Sequence, residues 1–238
     1  MDNIKYKLLV MSGKGGVGKT TIAVNLAYAL SEKGFKVGLL DVDIHGPNAP
    51  KMLGLSNKEL SGKDNKMIPI SFSDNLKVIS MAFLLKKADA VIWRGPMKHK
   101  VIKQFLDDVI WGELDYLVID LPPGTGDEAL SISQLLNNIT GTIIVSTPQE
   151  VALLDCIKTI DFSKKVNLPI LGLIENMSGE IFGEGEVEET AKKEKISFLG
   201  RLELNAEIRK AGDKGTPFAT KELFNAISNK IQKICEKK

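Results

Sequence analysis

Cysteine is nearly missing from this chain: Cys156 and Cys235 are the only two among 238 residues. They stand far apart with no Cys or His close to either, so one chain encodes neither a disulfide framework nor a cysteine-rich metal site. Charge of one sign is lacking too, because 32 Lys and Arg face 30 Asp and Glu for a net charge of +2. That excludes a bulk electrostatic drive toward DNA, RNA or acidic lipid, and no nucleic-acid or membrane partner is expected. Hydrophobic residues make up 43% of the chain, in short runs that never approach the ~18 consecutive apolar residues of a membrane span. The opening stretch MDNIKYKLLVMSGKGG is interrupted by Gly13, Lys14 and Gly15 before it is long enough for a signal peptide, which points to the cytoplasm. No Pro-rich or Gly/Ser-rich linker and no internal repeat divides the chain. Residues 1–238 therefore read as one domain, long enough to bury a sizeable core.

What the sequence does have is alternation. Short apolar runs at 6–11, 36–40, 76–80, 116–119, 142–146, 170–175 and 197–199 read as strands. Between them, amphipathic stretches at 19–33, 98–110, 128–137, 151–166, 186–193, 206–211 and 221–237 read as helices. This is the βαβ pattern of an α/β fold with a mostly parallel sheet of about seven or eight strands and helices on both faces. Gly34, Gly112, Gly141 and Gly172 are expected where a helix ends or a strand begins. Residues 56–75, rich in Ser, Asn, Lys and Asp, are expected to form an exposed excursion from the sheet.

The segment Gly13-Lys14-Gly15-Gly16-Val17-Gly18-Lys19-Thr20-Thr21 satisfies G-x-x-x-x-G-K-[ST] between an apolar strand and an amphipathic helix, the context of a P-loop. Its glycines let successive backbone N–H groups turn toward phosphate oxygens, and the helix starting near Lys19 adds its positive dipole end. Lys19 is then expected on the β and γ phosphates, Thr20 on Mg²⁺ and Thr21 on the α phosphate. With its second lysine, Lys14, the motif GKGGVGKTT resembles the deviant Walker A motif of the MinD/ParA/nitrogenase-iron-protein class of ATPases. The resemblance implies an ATP-sandwiched homodimer in which Lys14 reaches the partner's nucleotide and neutralises phosphate charge in trans.

Two carboxylates follow the second strand at alternate positions, Asp41 and Asp43, and point to one side. The class implies that Asp43 orients or activates the attacking water and that Asp41 supports the metal. A frayed strand end with paired acids is the alternative. His45 reads more readily as a structural or surface histidine than as a catalytic one. The run from Asp115 to Asp127 is an apolar strand ending in an acid and a Gly/Pro turn. It reads as a Walker B strand in which Asp120 holds Mg²⁺ through water, with a switch loop whose Gly124 offers its N–H to the γ phosphate. No N-K-x-D guanine reader occurs. Instead Glu175-Asn176-Met177 ends a strand, and the class implies that Asn176 hydrogen-bonds adenine, so ATP is expected. An asparagine there also suits a cap or turn.

Within that class the chain resembles the Mrp/ApbC family of iron-sulfur cluster carrier ATPases. The fingerprints are Asp43-Ile44-His45-Gly46-Pro47-Asn48, Trp93-Arg94-Gly95-Pro96-Met97, Trp111-Gly112-Glu113-Leu114-Asp115-Tyr116, the run from Asp120 to Asp127, Glu175-Asn176-Met177-Ser178 and Ile181-Phe182-Gly183-Glu184-Gly185. The family carries a C-P-x-C pair between the last two segments, and two subunits bridge a [4Fe-4S] cluster with it. Here Ser178 is followed by Gly179-Glu180 and then directly by Ile181, so the usual thiolate ligands are missing. Cys156 reads as a small buried helix residue, and Cys235 alone would supply one ligand per subunit. The family's P-L-D-P segment appears as Glu203-Leu204-Asn205-Ala206, which implies altered adenine contacts.

The expected function is therefore a dimeric, slowly hydrolysing Mg²⁺-ATP switch in iron-sulfur cluster assembly, without cluster ligands of its own and working with a cysteine-bearing paralogue or client protein. A MinD/ParA-like positioning ATPase is the alternative. It would need a membrane-seeking final helix, and Phe224, Ile227, Ile231 and Ile234 form a stripe that reads as core instead. A nucleotide-binding module without hydrolysis is the third reading.

Overall fold

Runs such as Leu8 to Met11 and Ile143 to Val145 are apolar at consecutive positions, so both faces of those strands must be covered at once. The structure, a computed structural model, describes residues 1, 3–64, 66–85, 95–218 and 221–237. The first half contains β1 (Ile4–Met11), α1 (Lys19–Glu32), β2 (Val37–Asp41), α2 (Ala49–Met52), β3 (Ser61–Lys63), β4 (Lys66–Ile68), β5 (Ile70–Ser71), β6 (Leu76–Ser80), α3 (Met81–Leu85) and α4 (Gly95–Asp107). The second half contains β7 (Leu114–Asp120), α5 (Asp127–Leu135), β8 (Gly141–Ser146), α6 (Glu150–Lys165), β9 (Ile170–Ser178), α7 (Glu186–Glu194), β10 (Phe198–Glu203), α8 (Ala206–Lys214) and α9 (Lys221–Glu236).

Eight strands form the main sheet in the order β10-β9-β8-β1-β7-β2-β6-β5. All pair in parallel except β5, which runs antiparallel to β6 at the edge. From β1 the chain first builds toward β2 and β6 and later toward β8, β9 and β10, so β1 marks the switch point where an open parallel sheet leaves a crevice beyond its carboxyl ends.

Strand periodicity divides the core. Leu8 and Val10 join a cluster with Ile22, Leu26 and Leu30 of α1 and with Phe224, Ile227 and Ile231 of α9. Leu9 and Met11, one residue out of step, join Ile102 and Phe105 of α4 and Ile132 of α5 on the other face. There α6 and α7 cover β8 and β9 through Cys156, Ile160, Val187 and Ala191. The final helix thus buries its apolar stripe in the core, as its spacing predicts, and Ile234 packs against the same cluster. No helix among the described residues is long and apolar enough to cross a membrane.

Two expectations need correction. Residues 56–75 are not wholly an excursion: β3 and β4 form an exposed antiparallel pair, but the stretch then returns as β5, the eighth strand. Gly34 and Gly112 take positive φ at turns, whereas Gly172 lies inside β9, pressed against Leu199 and the carbonyl of Ser197. Trp111 is a core residue, 3% exposed, while Trp93 and Arg94 lie outside the described residues.

Candidate functional site

Helix α1 begins with no side-chain N-cap and no acidic residue in its first turn. Its leading amides are therefore left to a ligand, and with the helix dipole they form an anion site. Two glycines of the preceding loop are demanded by contact. Gly18 has φ 83 and a Cβ there would fall 2.1 Å from Nδ2 of Asn176, so conformation and space both exclude a side chain. A Cβ on Gly13 would fall 2.2 Å from the carbonyl oxygen of Asp155, because helix α6 lies directly against the start of the loop.

Below the helix start, Lys19 Nζ lies 2.6 Å from Asp120 Oδ1, and Thr20 Oγ1 donates to Asp120 Oδ2, also at 2.6 Å. Asp120 ends β7 and is fully buried. Burial raises its carboxyl from the ordinary carboxylate range, while Lys19 pulls it down. Its register neighbour on β2 is Asp41. Burial, and then the charge of Asp120, push Asp41 up to about 8. Asp41 was expected beside the metal. The fold places it behind the cavity wall, where Oδ1 accepts from the amide of Asp43 at 3.2 Å and Oδ2 accepts from the amide of Ala49 at 3.2 Å and from Ser80 Oγ at 2.8 Å.

Asp43 stands on the turn that Asp41 secures. Its Oδ1 accepts from the amides of His45 at 3.0 Å and Gly46 at 3.1 Å, and among the described residues Oδ2 takes no protein hydrogen bond. The Gly124 amide, expected at a γ phosphate, instead donates to the Ser12 carbonyl at 2.8 Å. The turn after β7 is thereby tied to the mouth of the loop. Asn176 Nδ2 donates to the Val17 carbonyl at 2.8 Å, which joins the end of β9 to the same loop.

These groups surround a cavity of about 690 Å³, within the range of small-molecule sites. Lys14, Gly15, Gly16, Gly18, Lys19, Thr20, Thr21, Asp43 and Asn176 line it, while Gly13, Val17, Asp41, Asp120 and Gly124 do not. His45, 67% exposed in its side chain, also lines it and has Nε2 3.9 Å from Glu128 Oε1. Sequence reasoning missed the opposite wall, built by Lys51 and Met52 of α2 and by Ile208, Arg209, Gly212 and Asp213 of α8. Helix α8 buries no residue, so nothing in its sequence marked it as a cavity wall.

Glu175, next to Asn176, is fully buried and belongs to a separate cluster. Arg201 Nε lies 2.5 Å from its Oε1, and the amides of Gly185 and Val187 donate to the same carboxylate at the start of α7. Between β9 and α7 the backbones of Gly179 and Gly183 exchange hydrogen bonds of 2.9 and 2.8 Å, closing a tight turn. The two cysteines are on opposite faces of the sheet, Cys156 on the inner side of α6 and Cys235 near the end of α9 in the cluster with α1. Both are buried, and burial pushes the Cys156 thiol up to about 12. One cluster cannot take both as ligands within this chain.

A parallel sheet with a glycine-rich loop at its switch point and a lysine, threonine and aspartate converging under a helix start defines a P-loop nucleotide-binding protein. The family profile described as NUBPL iron-transfer P-loop NTPase, of the ParA group, matches residues 3–238, and the chain belongs to that family. It is 48% identical over 255 residues to an iron-sulfur cluster carrier protein of Methanocaldococcus jannaschii, covering 100% of this chain and 88% of the relative. Identity is 49% over 255 residues to the iron-sulfur cluster carrier protein of Saccharolobus solfataricus, covering 99% and 86%. Among solved structures, a nucleotide-binding protein from Archaeoglobus fulgidus in complex with ADP is similar, with a TM-score of 0.80 and 36% identity over 94% of this chain and 91% of that one. The cell division ATPase MinD of Pyrococcus furiosus superposes with a TM-score of 0.73 and 26% identity, covering 97% and 99%.

Proposed function

We propose that this chain is a single ATPase domain that binds Mg²⁺-ATP in the cavity, hydrolyses it slowly as a homodimer, and acts in iron-sulfur cluster assembly or carriage in the cytoplasm. The observation that carries the reading is the Lys19, Thr20 and Asp120 constellation beneath the uncapped start of α1. The amides from Gly13 to Gly18 and Thr21 cradle phosphate, and Lys19 exchanges its carboxylate partner for the β and γ oxygens. Thr20 and Asp120 are hard oxygen donors held 2.6 Å apart, a donor set that suits Mg²⁺, while Asp41 braces the Asp43 turn behind them. When bound, the ion supplies charge neutralisation along the phosphates. The unengaged Oδ2 of Asp43 orients the attacking water, Gly124 leaves Ser12 for the γ phosphate, and Lys14 acts in trans across the dimer.

Asn176 gives one N–H of its amide to the Val17 carbonyl, which leaves its carbonyl oxygen and second N–H to meet the amino group and a ring nitrogen of adenine. The relatives' names support the iron-sulfur role, and the buried stripe on α9 leaves that helix no membrane face. With Cys156 and Cys235 buried apart, the cluster is cargo held by a cysteine-bearing paralogue or client. An Asp43→Asn variant should bind ATP normally and lose most turnover; undiminished phosphate release would sink the assignment. Anaerobic reconstitution with iron and sulfide should leave the purified chain without stoichiometric iron, and a stable cluster on it would overturn the cargo reading.

A further inference from the structure

Strand β9 loses its alternation where it reaches the cavity. Leu173 and Glu175 face α7, the first in the cluster with Val187 and the second under the amides of Gly185 and Val187, while Ile174 and Asn176 face the α1 side. Continued with a period of 2, the strand would send Met177 back toward α7. Instead Met177 lines the cavity beside Asn176. The register with β10 shows how, because Glu175 pairs with Arg201 and Ser178 with Glu203, so three steps along β9 oppose two along β10. That is a β-bulge, which re-aims a side chain.

The bulge strains the backbone. Met177 takes φ 59, in the left-handed region, inside a strand. The other non-glycine residues with positive φ among those described are Asp64, Asn138 and Asn167, of types that tolerate it, and Lys195, which caps the end of α7. Methionine has no short polar side chain to offset such a conformation, and strain of this kind collects at sites that use it. A Cβ placed on Gly18 would fall 3.4 Å from Met177 Cε, so the thioether lies beside the end of the phosphate loop. The Leu204 amide donates to the Ser178 carbonyl at 2.9 Å and fixes the bulge against the segment before α8. Leu204, 48% exposed, and Ile208 line the same cavity.

We propose that Met177 is the residue that selects a nucleotide over a bare phosphate chain, by packing its thioether on the face of the base whose edge Asn176 meets. Sulfur and its methyl group are soft and polarisable, which suits an aromatic face, and Leu204 and Ile208 extend the apolar lining. The bulge is what allows successive residues to serve edge and face together. This inference rests on the nucleotide reading of the cavity and adds the side chain that reads the base in it.

Calorimetry of the full chain with Mg²⁺ and either ATP or tripolyphosphate, which keeps the phosphates and lacks the base, tests it. Met177→Gly and Met177→Asn both suit a left-handed backbone. Each should weaken ATP about tenfold, or about 1.4 kcal/mol, and leave tripolyphosphate within about twofold. Met177→Leu, close in volume and apolar, should keep ATP within about threefold. Unchanged ATP affinity in Met177→Gly would overturn the proposal, and so would an equal loss of tripolyphosphate, which would show a disturbed phosphate loop instead. Urea unfolding of the nucleotide-free Met177→Gly chain should come at no lower concentration than in the wild type, because the strain is relieved. A clear fall would make Met177 a support of the fold and remove the ground for the inference. A wild-type chain that binds neither ligand refutes the nucleotide reading itself, whereas one that binds both equally keeps the phosphate loop and refutes only the base contact.

Discussion

Two strand ends of this sheet bury a carboxylate against a cation, and they use the arrangement differently. At the end of β7, Asp120 meets Lys19 and Thr20, both of which line the cavity. Near the end of β9, Glu175 meets Arg201 and the amides of Gly185 and Val187 at the start of α7, none of which do. The Glu175 cluster is complete within the protein and fixes the entry to α7. The partners of Asp120 face the cavity, and a second buried acid, Asp41, stands beside it with its carboxyl raised. A buried charge with a permanent partner is architecture, whereas one whose partner faces a cavity is a site.

Removing one partner from each end should break this comparison if it is wrong. Lys19→Ala strips the cavity of its phosphate cation and leaves Asp120 buried and unpaired. Calorimetry should find no ATP binding, and urea unfolding a loss of about 3 kcal/mol. Arg201→Ala should cost roughly 2 kcal/mol by the same unfolding measurement, since the two amides remain on Glu175, and should leave ATP affinity within about threefold. An Arg201 variant that binds ATP as poorly as the Lys19 variant would erase the distinction.

Smaller effects sharpen the phosphate end. Lys14→Ala should keep ATP affinity and lower both turnover and ATP-dependent dimerisation about tenfold, equivalent to about 1.4 kcal/mol; wild-type turnover would refute action in trans. The smallest expected effect is on pH dependence. Asp41 holds its proton up to about 8 in the folded chain, against an ordinary value of 3.8. The folded state therefore binds a proton that the unfolded state releases, so this contribution is full below the ordinary value and is lost as pH rises toward the folded one. The urea midpoint of the nucleotide-free protein should fall from about pH 5 to about pH 8, and Asp41→Asn should flatten that slope.

Most of the architecture was legible because strand and helix periods differ. Residues 76–80 coincide with β6, and the other expected strands and helices match observed ones with shifted ends. The short elements escaped: α2 and β5 carry too few residues for any periodicity, and β5 exists only because β6 offers an open edge. In the site, the loop glycines, Lys19, Asp43 and Asn176 were readable from motif and spacing, but not what each touches. The α8 wall was hidden, because a helix that buries nothing looks like surface until it is seen over a cavity.

Sequence alone determined the βαβ order, the phosphate loop and the scarcity of thiols, since these are local patterns and counts. Tertiary structure decided that the two cysteines lie on opposite sheet faces, that Asp41 braces the Asp43 turn from behind, and that Gly13 must be glycine because α6 arrives there. Each of those depends on residues brought together from distant parts of the chain, and contact at long sequence separation leaves no trace in local composition or period.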